Sequence, residues 1–347
     1  MLYIRQLKHL ASHLGVSVEQ LEKVAESPGS WCEELILHDP AKPNKERTVL
    51  NVIGPLRRIQ DRLLRQVLLR KLPVSDFSHG GVRGRHIKSN VEPHLKSIFV
   101  FTTDISDFYP TISHNRVYRL FTQDFCCSPD VARICTKLCT YKHYLALGLI
   151  TSPILADQVM RPIDLRIGAA CQKAGLVYTR YVDDLTISGS FDLEESGFPA
   201  LVHRILAEHG FTVNPQKNSF GRMADGVPIT KIRVNRGHLD VGKDYLTKLD
   251  TQLADAATLA TGGDFQGPYY TEPQIWGRIQ FVCWVNPGRH RVLLRKFREV
   301  CWKKVDEEAR RRGLISTKKT LKRQTPADPP RSVSDACATL PDSDSPS

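Results

Sequence analysis

Three kinds of feature are missing from this chain of 347 residues. It contains no uninterrupted run of about 18 apolar residues, which a transmembrane helix would need. Its first residues lack the charged, apolar and cleavable order of a signal peptide. None of its nine cysteines forms a Cys-x-x-Cys pair, which argues against a zinc site. We therefore expect a soluble, cytoplasmic protein with no membrane partner and with reduced, packed thiols.

The chain carries an excess of positive charge. It has 49 Lys and Arg residues against 37 Asp and Glu residues, a formal net charge of +12 and a pI of about 9.3. Such a balance favours polyanionic partners, because binding releases their counterions. Residues 289–313 hold ten basic and four acidic side chains, which is half of the net excess. Apolar residues recur there at helical spacing, which predicts one amphipathic helix with a basic outer face.

Two adjacent carboxylates occupy the tip of a predicted hairpin. Asp183 and Asp184 stand between the apolar runs 176–178 and 185–187. At an effective dielectric of about 20, like charges about 4 Å apart repel by roughly 4 kcal/mol, so a cation is expected there. Asp104 ends another β-rich run and supplies a third carboxylate. Carboxylate oxygens suit Mg²⁺, and two such ions can clamp the attacking and leaving oxygens of a phosphoryl displacement.

Four segments stand in the order of the palm motifs A to D of reverse transcriptases, and the chain resembles that family. They are residues 104–112, 145–156, 181–184 and 210–217. The resemblance implies an α+β right-hand polymerase fold with fingers, a palm of antiparallel sheet plus helices, and a small helical thumb. It also implies RNA-directed DNA polymerase activity on deoxynucleoside triphosphates, with two Mg²⁺ ions per active site. Asp104, Asp183 and Asp184 are then the catalytic and metal-binding residues.

The same resemblance assigns roles around the incoming nucleotide. Arg47 is the expected triphosphate contact, and Tyr109 corresponds to the aromatic gate that clashes with a ribose 2′-hydroxyl. Gly148 lies in the motif B loop, and Lys217 would give a proton to the leaving pyrophosphate. Each side chain also has an ordinary interpretation, since Arg47 and Lys217 are of types that are mostly exposed and Tyr109 could be a packed palm aromatic.

A further element resembles bacterial retron reverse transcriptases. Residues 90–94 (NVEPH) match the retron NAxxH element except at Val91, and residues 229–231 (ITK) stand where retron enzymes have VTG. The implied substrate is a cognate structured non-coding RNA, part of which is copied into single-stranded DNA. The implied setting is an anti-phage defence system with an effector or toxin protein. The expected RNA-binding residues are Asn90, His94, Arg295, Arg298, Lys303 and Lys304.

Leu147 departs from the family pattern, because motif B normally has Gln at this position. The departure keeps open an RNA-binding scaffold that restrains a toxic effector. Another small bacterial defence reverse transcriptase is a second alternative. An RNA-templated RNA polymerase is a third, although it would prefer a small residue in place of Tyr109.

The predicted domain boundaries follow from these motifs and from composition. The last segment is rich in Pro, Ser and Asp and lacks apolar periodicity, which is typical of disorder. The expected divisions are an N-terminal helical extension (1–40), fingers (41–98), palm (99–235), basic RNA-binding thumb (236–315) and a disordered tail (316–347).

Overall fold

Two hydrophobic cores organise the residues that the structure describes. The structure is a computed structural model, and it describes residues 1–39, 42–235 and 237–314. The first core extends from Leu2 to Phe211. The second joins Val91 and Val100 to the C-terminal helices as far as Ala309. The C-terminal helices therefore pack against the middle of the chain. The predicted tail, 316–347, lies outside the described residues.

Capping residues delimit the two N-terminal helices. Gly15, in the left-handed region with φ of +60°, ends the first helix. The Gln20 N–H donates to Ser17 Oγ at 3.0 Å, and the Ser17 N–H donates to Gln20 Oε1 at 3.3 Å, which forms a capping box for the second. The elements of this region are Leu7–Leu14 (α1), Val18–Glu26 (α2), Cys32–Asp39 (β1), Lys42–Val52 (β2), Gly54–Arg62 (α3), Leu69–Lys71 (α4) and Ile87–Val91 (α5).

A four-stranded antiparallel sheet lies at the centre of the chain. Its strands are Phe99–Asp104 (β3), Val177–Tyr181 (β4), Asp184–Gly189 (β5) and Ser219–Arg222 (β6). Their order in the sheet is β4-β5-β3-β6, and Asp104 is paired with Asp184 across β3 and β5. The helices of this region are Phe108–Thr111 (α6), His114–Arg119 (α7), Pro129–Cys139 (α8), Ser152–Lys173 (α9) and Phe198–Glu208 (α10).

The two faces of this sheet have different neighbours, because side chains alternate along a strand. On one face, Tyr178 and Arg180 both hydrogen-bond to Asp164 of α9. On the other face, Thr179 and Ser188 hydrogen-bond to His94. Helix α9 therefore covers one face, and the segment around residue 94 covers the other.

The C-terminal region contains a hairpin and a group of helices. The prediction of one helix over residues 289–313 is wrong, because the chain forms two helices there. Val300 separates them with an extended backbone (φ −82°, ψ 126°), and the Trp302 indole N–H donates to the Phe297 carbonyl at 3.1 Å. Burial of Val300 stabilises this corner. The elements are Ile232–Asn235 (β7), His238–Val241 (β8), Lys243–Ala260 (α11), Glu272–Val285 (α12), His290–Glu299 (α13) and Trp302–Arg311 (α14).

Short helical turns join several of these elements. Within the described part of the chain, no helix combines the length and the apolar character needed to cross a membrane. The turns are the π-helical segments Leu63–Leu68 and Leu120–Asp124 and the 3₁₀ segments Pro28–Trp31, Glu92–His94, Pro215–Lys217, Met223–Asp225 and Pro287–Arg289.

Candidate active site

The structure brings the three predicted carboxylates together. Asp104 ends β3, Asp184 begins β5 directly opposite, and Asp183 lies in the turn between β4 and β5. One oxygen from each carboxylate can be chosen so that all three lie within 4.8 Å of one another. Asp104 is buried, and the other two are partly exposed. A hard divalent cation prefers such a set of oxygen ligands.

The charges of this cluster are incompletely balanced. Burial, followed by the charges of Asp183 and Asp104, raises the pKa of Asp184 to about 7. Burial and then Asp104 also raise the pKa of Asp183, whereas Lys217 and Arg47 lower it. Burial and mutual repulsion together therefore outweigh the neighbouring cations at Asp183 and Asp184. A divalent cation would relieve this repulsion.

Lys217 contacts the cluster directly. Its ammonium group donates a hydrogen bond to Asp104 Oδ2. The chain leading to it is fixed against β3, because the Asn214 N–H donates to the Asp104 carbonyl at 3.0 Å. The predicted proton donor thus lies beside a predicted metal-binding residue.

Tyr109 and Arg47 approach the cluster from different elements. Tyr109 is partly buried in α6, and burial followed by the charge of Asp183 raises its pKa to about 12. Arg47 is an exposed residue of β2, and its charge is among those that lower the pKa of Asp183. The structure therefore brings both predicted nucleotide contacts near the carboxylates. The contacts with a nucleotide remain predictions.

Gly148 has a structural reason to be glycine. It has a φ of +97°, and a Cβ atom added to it would lie 2.0 Å from the Leu50 carbonyl oxygen. The neighbouring Leu147 carbonyl accepts from the Leu50 N–H at 2.8 Å, while the Leu147 side chain is 42% exposed. The motif B loop is thereby joined to β2. The predicted contact of Gly148 with a nucleotide remains a prediction.

Asn90 and His94 are fully buried, which corrects the prediction that they contact RNA. The His94 ring nitrogens are hydrogen-bonded to Ser188 Oγ at 2.6 Å and to Thr179 Oγ1 at 2.8 Å. The Asn90 side-chain amide donates to Thr230 Oγ1 at 2.9 Å. These side chains have no surface to offer a nucleic acid. Instead, they join strands β4 and β5 to the start of the C-terminal region.

The segment that stands in place of the VTG element has an unusual backbone. Thr230 and Lys231 have φ values of +48° and +72°, in the left-handed region that favours glycine. The Thr230 hydroxyl keeps a partner in Asn90. Lys231 therefore occupies a conformation that the family's glycine would adopt more easily.

The predicted RNA-binding residues of the C-terminal helices are exposed. Arg295 and Arg298 lie on α13, and Lys303 and Lys304 lie on α14. Beside Arg298, a groove of about 340 Å³ contains Trp276, which is 36% exposed. The groove is lined by Glu272, Pro273, Trp276, Leu294, Phe297 and Arg298.

Sequence reasoning missed a buried arginine behind the carboxylate turn. Arg180 is 1% exposed and forms ion pairs with Asp157 and Asp164 of α9. The available signal was an arginine within a predicted strand, three residues before Asp183. Two aspartates two helical turns apart on α9 were the matching signal.

Comparison with known proteins places these features in a family context. A model of the reverse transcriptase (RNA-dependent DNA polymerase) family matches residues 40–245. The chain is 26% identical over 248 residues to retron Ec86 reverse transcriptase of Escherichia coli, covering 72% of this chain and 74% of that protein. It is 29% identical over 251 residues to retron Mx65 reverse transcriptase of Myxococcus xanthus, covering 67% and 58%, respectively. A telomerase structure from Candida albicans aligns with 81% of this chain and 60% of its own at 13% identity, with a TM-score of 0.44.

Proposed function

This chain belongs to the reverse transcriptase family, and we propose that it is a retron-type RNA-directed DNA polymerase whose catalytic residues are Asp104, Asp183 and Asp184. The convergence of these three carboxylates, with oxygens within 4.8 Å of one another, is the observation that carries the proposal. They come from two segments of the matched region, about 80 residues apart in the sequence. Their meeting is therefore a property of the fold and not of one short motif.

The donor set fits two Mg²⁺ ions. The three side chains offer carboxylate oxygens, which Mg²⁺ prefers, and burial followed by the charge of Asp183 raises the pKa of Asp184. Asp104 and Asp183 would hold the ions, with Asp184 beside them. When bound, Mg²⁺ supplies a lowered pKa for the attacking 3′-hydroxyl and a counter-charge for the triphosphate.

The side chains around the carboxylates suit a deoxynucleoside triphosphate. Arg47 supplies positive charge near Asp183, which supports a contact with the triphosphate. The hydrogen bond from Lys217 to Asp104 supports a role for Lys217 as the proton donor to the leaving pyrophosphate. The position of the Tyr109 ring near Asp183 supports its role in excluding a ribose 2′-hydroxyl.

The proposed nucleic-acid partner is a structured non-coding RNA, of which part becomes single-stranded DNA. The basic side chains of residues 289–313 favour a phosphate backbone. The exposed ring of Trp276 next to Arg298 offers a stacking surface for an unpaired base. In this proposal, residues 41–98, 99–235 and 236–315 act as fingers, palm and thumb. A defence role with a protein effector is part of the proposal through the resemblance to retron enzymes.

The test is the nucleic acid that co-purifies with the full chain. It is sequenced with and without RNase treatment for the wild type, for Asp183→Asn and for a surface control, Asp130→Asn, whose side chain is 73% exposed. We expect single-stranded DNA joined covalently to RNA in the wild type and the control, and none in Asp183→Asn. RNA without DNA in all three preparations would contradict the proposed polymerase activity and favour an RNA-binding scaffold.

A further inference from the structure

A buried ion-pair network lies directly behind the carboxylate turn. The Arg180 Nε and Nη2 groups donate to the two oxygens of Asp164 at 2.8 and 2.7 Å, and Nη2 also donates to Asp157 Oδ1 at 2.8 Å. Nη1 donates to the backbone carbonyl oxygen of Val182 at 2.9 Å. A guanidinium group has five N–H donors in a rigid fork, so this geometry fixes its orientation. One arginine thus joins helix α9 to the turn that carries Asp183.

The turn itself is in an unfavourable conformation. Val182 has a φ of +61°, which is a rare value for a β-branched residue. Its carbonyl belongs to the peptide bond that leads into Asp183, so a bond to this oxygen restrains the backbone at the first turn carboxylate. On the other side of the turn, the Ile105 N–H donates to the Asp183 carbonyl at 3.1 Å. The turn is therefore held in place by contacts outside its own sequence.

The anchor for Arg180 is itself rigid. Asp164 also accepts from Ser75 Oγ at 2.7 Å and from the Tyr178 hydroxyl at 2.9 Å, and its side chain is fully buried. Its oxygens are therefore occupied by protein donors. A buried ion pair of this kind contributes little net stability in comparison with apolar side chains of similar volume. Its geometry, however, determines where the turn lies.

We propose that Arg180 is a positioning residue for divalent cation binding. By holding the Val182 carbonyl against a fixed point on α9, it keeps Asp183 and Asp184 convergent with Asp104. Arg180 does not touch the cation or the nucleotide in this account, and it acts through the backbone of the turn. The inference rests on the proposed function, which requires a cation at these carboxylates.

The variant Arg180→Lys tests this inference, because it keeps the positive charge and removes the fork. Its matched control is Tyr178→Phe, which removes another donor to Asp164 but leaves the bond to Val182 intact. The readouts are Mn²⁺ binding to the full chain without nucleotide, followed by electron paramagnetic resonance, and thermal unfolding without metal. We expect both variants to unfold at a lower temperature. Only Arg180→Lys should bind Mn²⁺ about tenfold or more weakly, as is typical when a group that orients ligands is lost.

Wild-type Mn²⁺ affinity in folded Arg180→Lys would overturn the inference. An equal loss of affinity in Tyr178→Phe would also overturn it, because the effect would then follow general stability. If Arg180→Lys does not fold, Asp157→Asn provides the second arm, since it leaves both the Asp164 pair and the Val182 bond in place. The inference expects affinity within about twofold of the wild type there, and a tenfold loss would contradict it.

These outcomes are separate from a failure of the proposed function. Mn²⁺ binding is measured without template, primer or nucleotide. A selective loss of Mn²⁺ affinity in Arg180→Lys, together with a wild-type protein that makes no DNA, would support the positioning role and refute the polymerase proposal. DNA synthesis by the wild type, together with unchanged Mn²⁺ affinity in Arg180→Lys, would support the polymerase proposal and refute the positioning role.

Discussion

Two groups of aspartates lie close together in this molecule, and they differ in how far protein side chains neutralise their charge. Asp157 and Asp164 are buried and share one arginine, with further hydroxyl donors on Asp164. The Asp104, Asp183 and Asp184 cluster is more open, and Lys217 contacts only one of its members directly. Charge that is paired within the protein maintains a structure. Charge that converges without sufficient compensation is available for a ligand.

Removing a carboxylate from the cluster of Asp104, Asp183 and Asp184 should abolish activity without destabilising the fold. Asp183→Asn should lower DNA synthesis by about a thousandfold or more. A bound metal stabilises the charge of the transition state by several kcal/mol, and this contribution would be lost. Its unfolding temperature without metal should stay unchanged or rise, because burial and then the charge of Asp104 raise the pKa of Asp183 and so disfavour its charged form in the folded state. Primer extension and thermal unfolding measure the two effects. A large loss of stability would show that the cluster is structural.

The same change in the paired group should have the opposite signature. Asp164→Asn leaves Arg180 with an uncompensated buried charge, so the free energy of unfolding should fall by about 3–5 kcal/mol. Chemical denaturation of the wild type and the variant measures this difference. The surface variant Asp130→Asn serves as the control and should change stability by less than about 0.5 kcal/mol. A stable Asp164→Asn protein would contradict the account of the anchor.

Gly80 lies against the turn that carries Asp183, so a larger residue there tests whether the position of the turn matters for activity. A Cβ atom at Gly80 would lie 2.6 Å from the Val182 backbone nitrogen, so Gly80→Ala must displace the turn or its own segment. A displacement of about 1 Å costs up to about a hundredfold in rate, and we expect a loss of tenfold to a hundredfold in DNA synthesis. Gly277→Ala is the matched control, because nothing lies within 4 Å of its added Cβ. Equal activity in both variants would contradict the close approach.

The raised pKa of Asp184 predicts a pH dependence of stability without metal. Its pKa rises from 3.8 to about 7 on folding, so the folded protein holds a proton that the unfolded chain releases. This contribution is complete below about pH 3.8 and is lost as the pH rises through about 7. The unfolding temperature of the wild type relative to Asp184→Asn should therefore fall between about pH 5 and pH 8.

His79 and His94 also have shifted pKa values, lowered mainly by burial to about 4 and 3, but both are present in the two proteins and cancel in the comparison. Added Mg²⁺ should reduce the dependence. A constant difference between the proteins across this pH range would contradict the raised pKa.

The smallest expected effect is at Lys231, away from both aspartate groups. Lys231→Gly removes a side chain from a position with φ of +72°, which should stabilise the protein by up to about 1 kcal/mol. Lys231→Ala controls for loss of the charge and should give no gain. Thermal unfolding distinguishes the two variants. Equal stability in both would show that the left-handed backbone costs nothing there.

Local patterns in the sequence were sufficient for the open cluster. Asp104 ends a strand and the Asp183–Asp184 pair turns a hairpin, so each position follows from its own neighbours. The ion pair between Arg180 and Asp164 was missed, because their contact depends on how a helix packs on a sheet. Asn90 and His94 look like surface residues in a polar segment. Only long-range partners such as Thr230 and Thr179 allow them to be buried.

The break between α13 and α14 was missed for a similar reason. Apolar residues continue at helical spacing through Val300, so the periodicity alone predicts one helix over 289–313. The corner depends on burial of Val300 and on the bond from the Trp302 indole to the Phe297 carbonyl. Tertiary packing thus overrides local propensity at this point.

DNA synthesis on an RNA template is the decisive measurement for the proposed polymerase. The purified full chain is given a primed RNA template, deoxynucleoside triphosphates and Mg²⁺, with Asp183→Asn and Asp130→Asn in parallel. We expect extension by the wild type and Asp130→Asn, and none by Asp183→Asn. Extension that persists in Asp183→Asn, or a wild type that binds the RNA and makes no DNA, would contradict it.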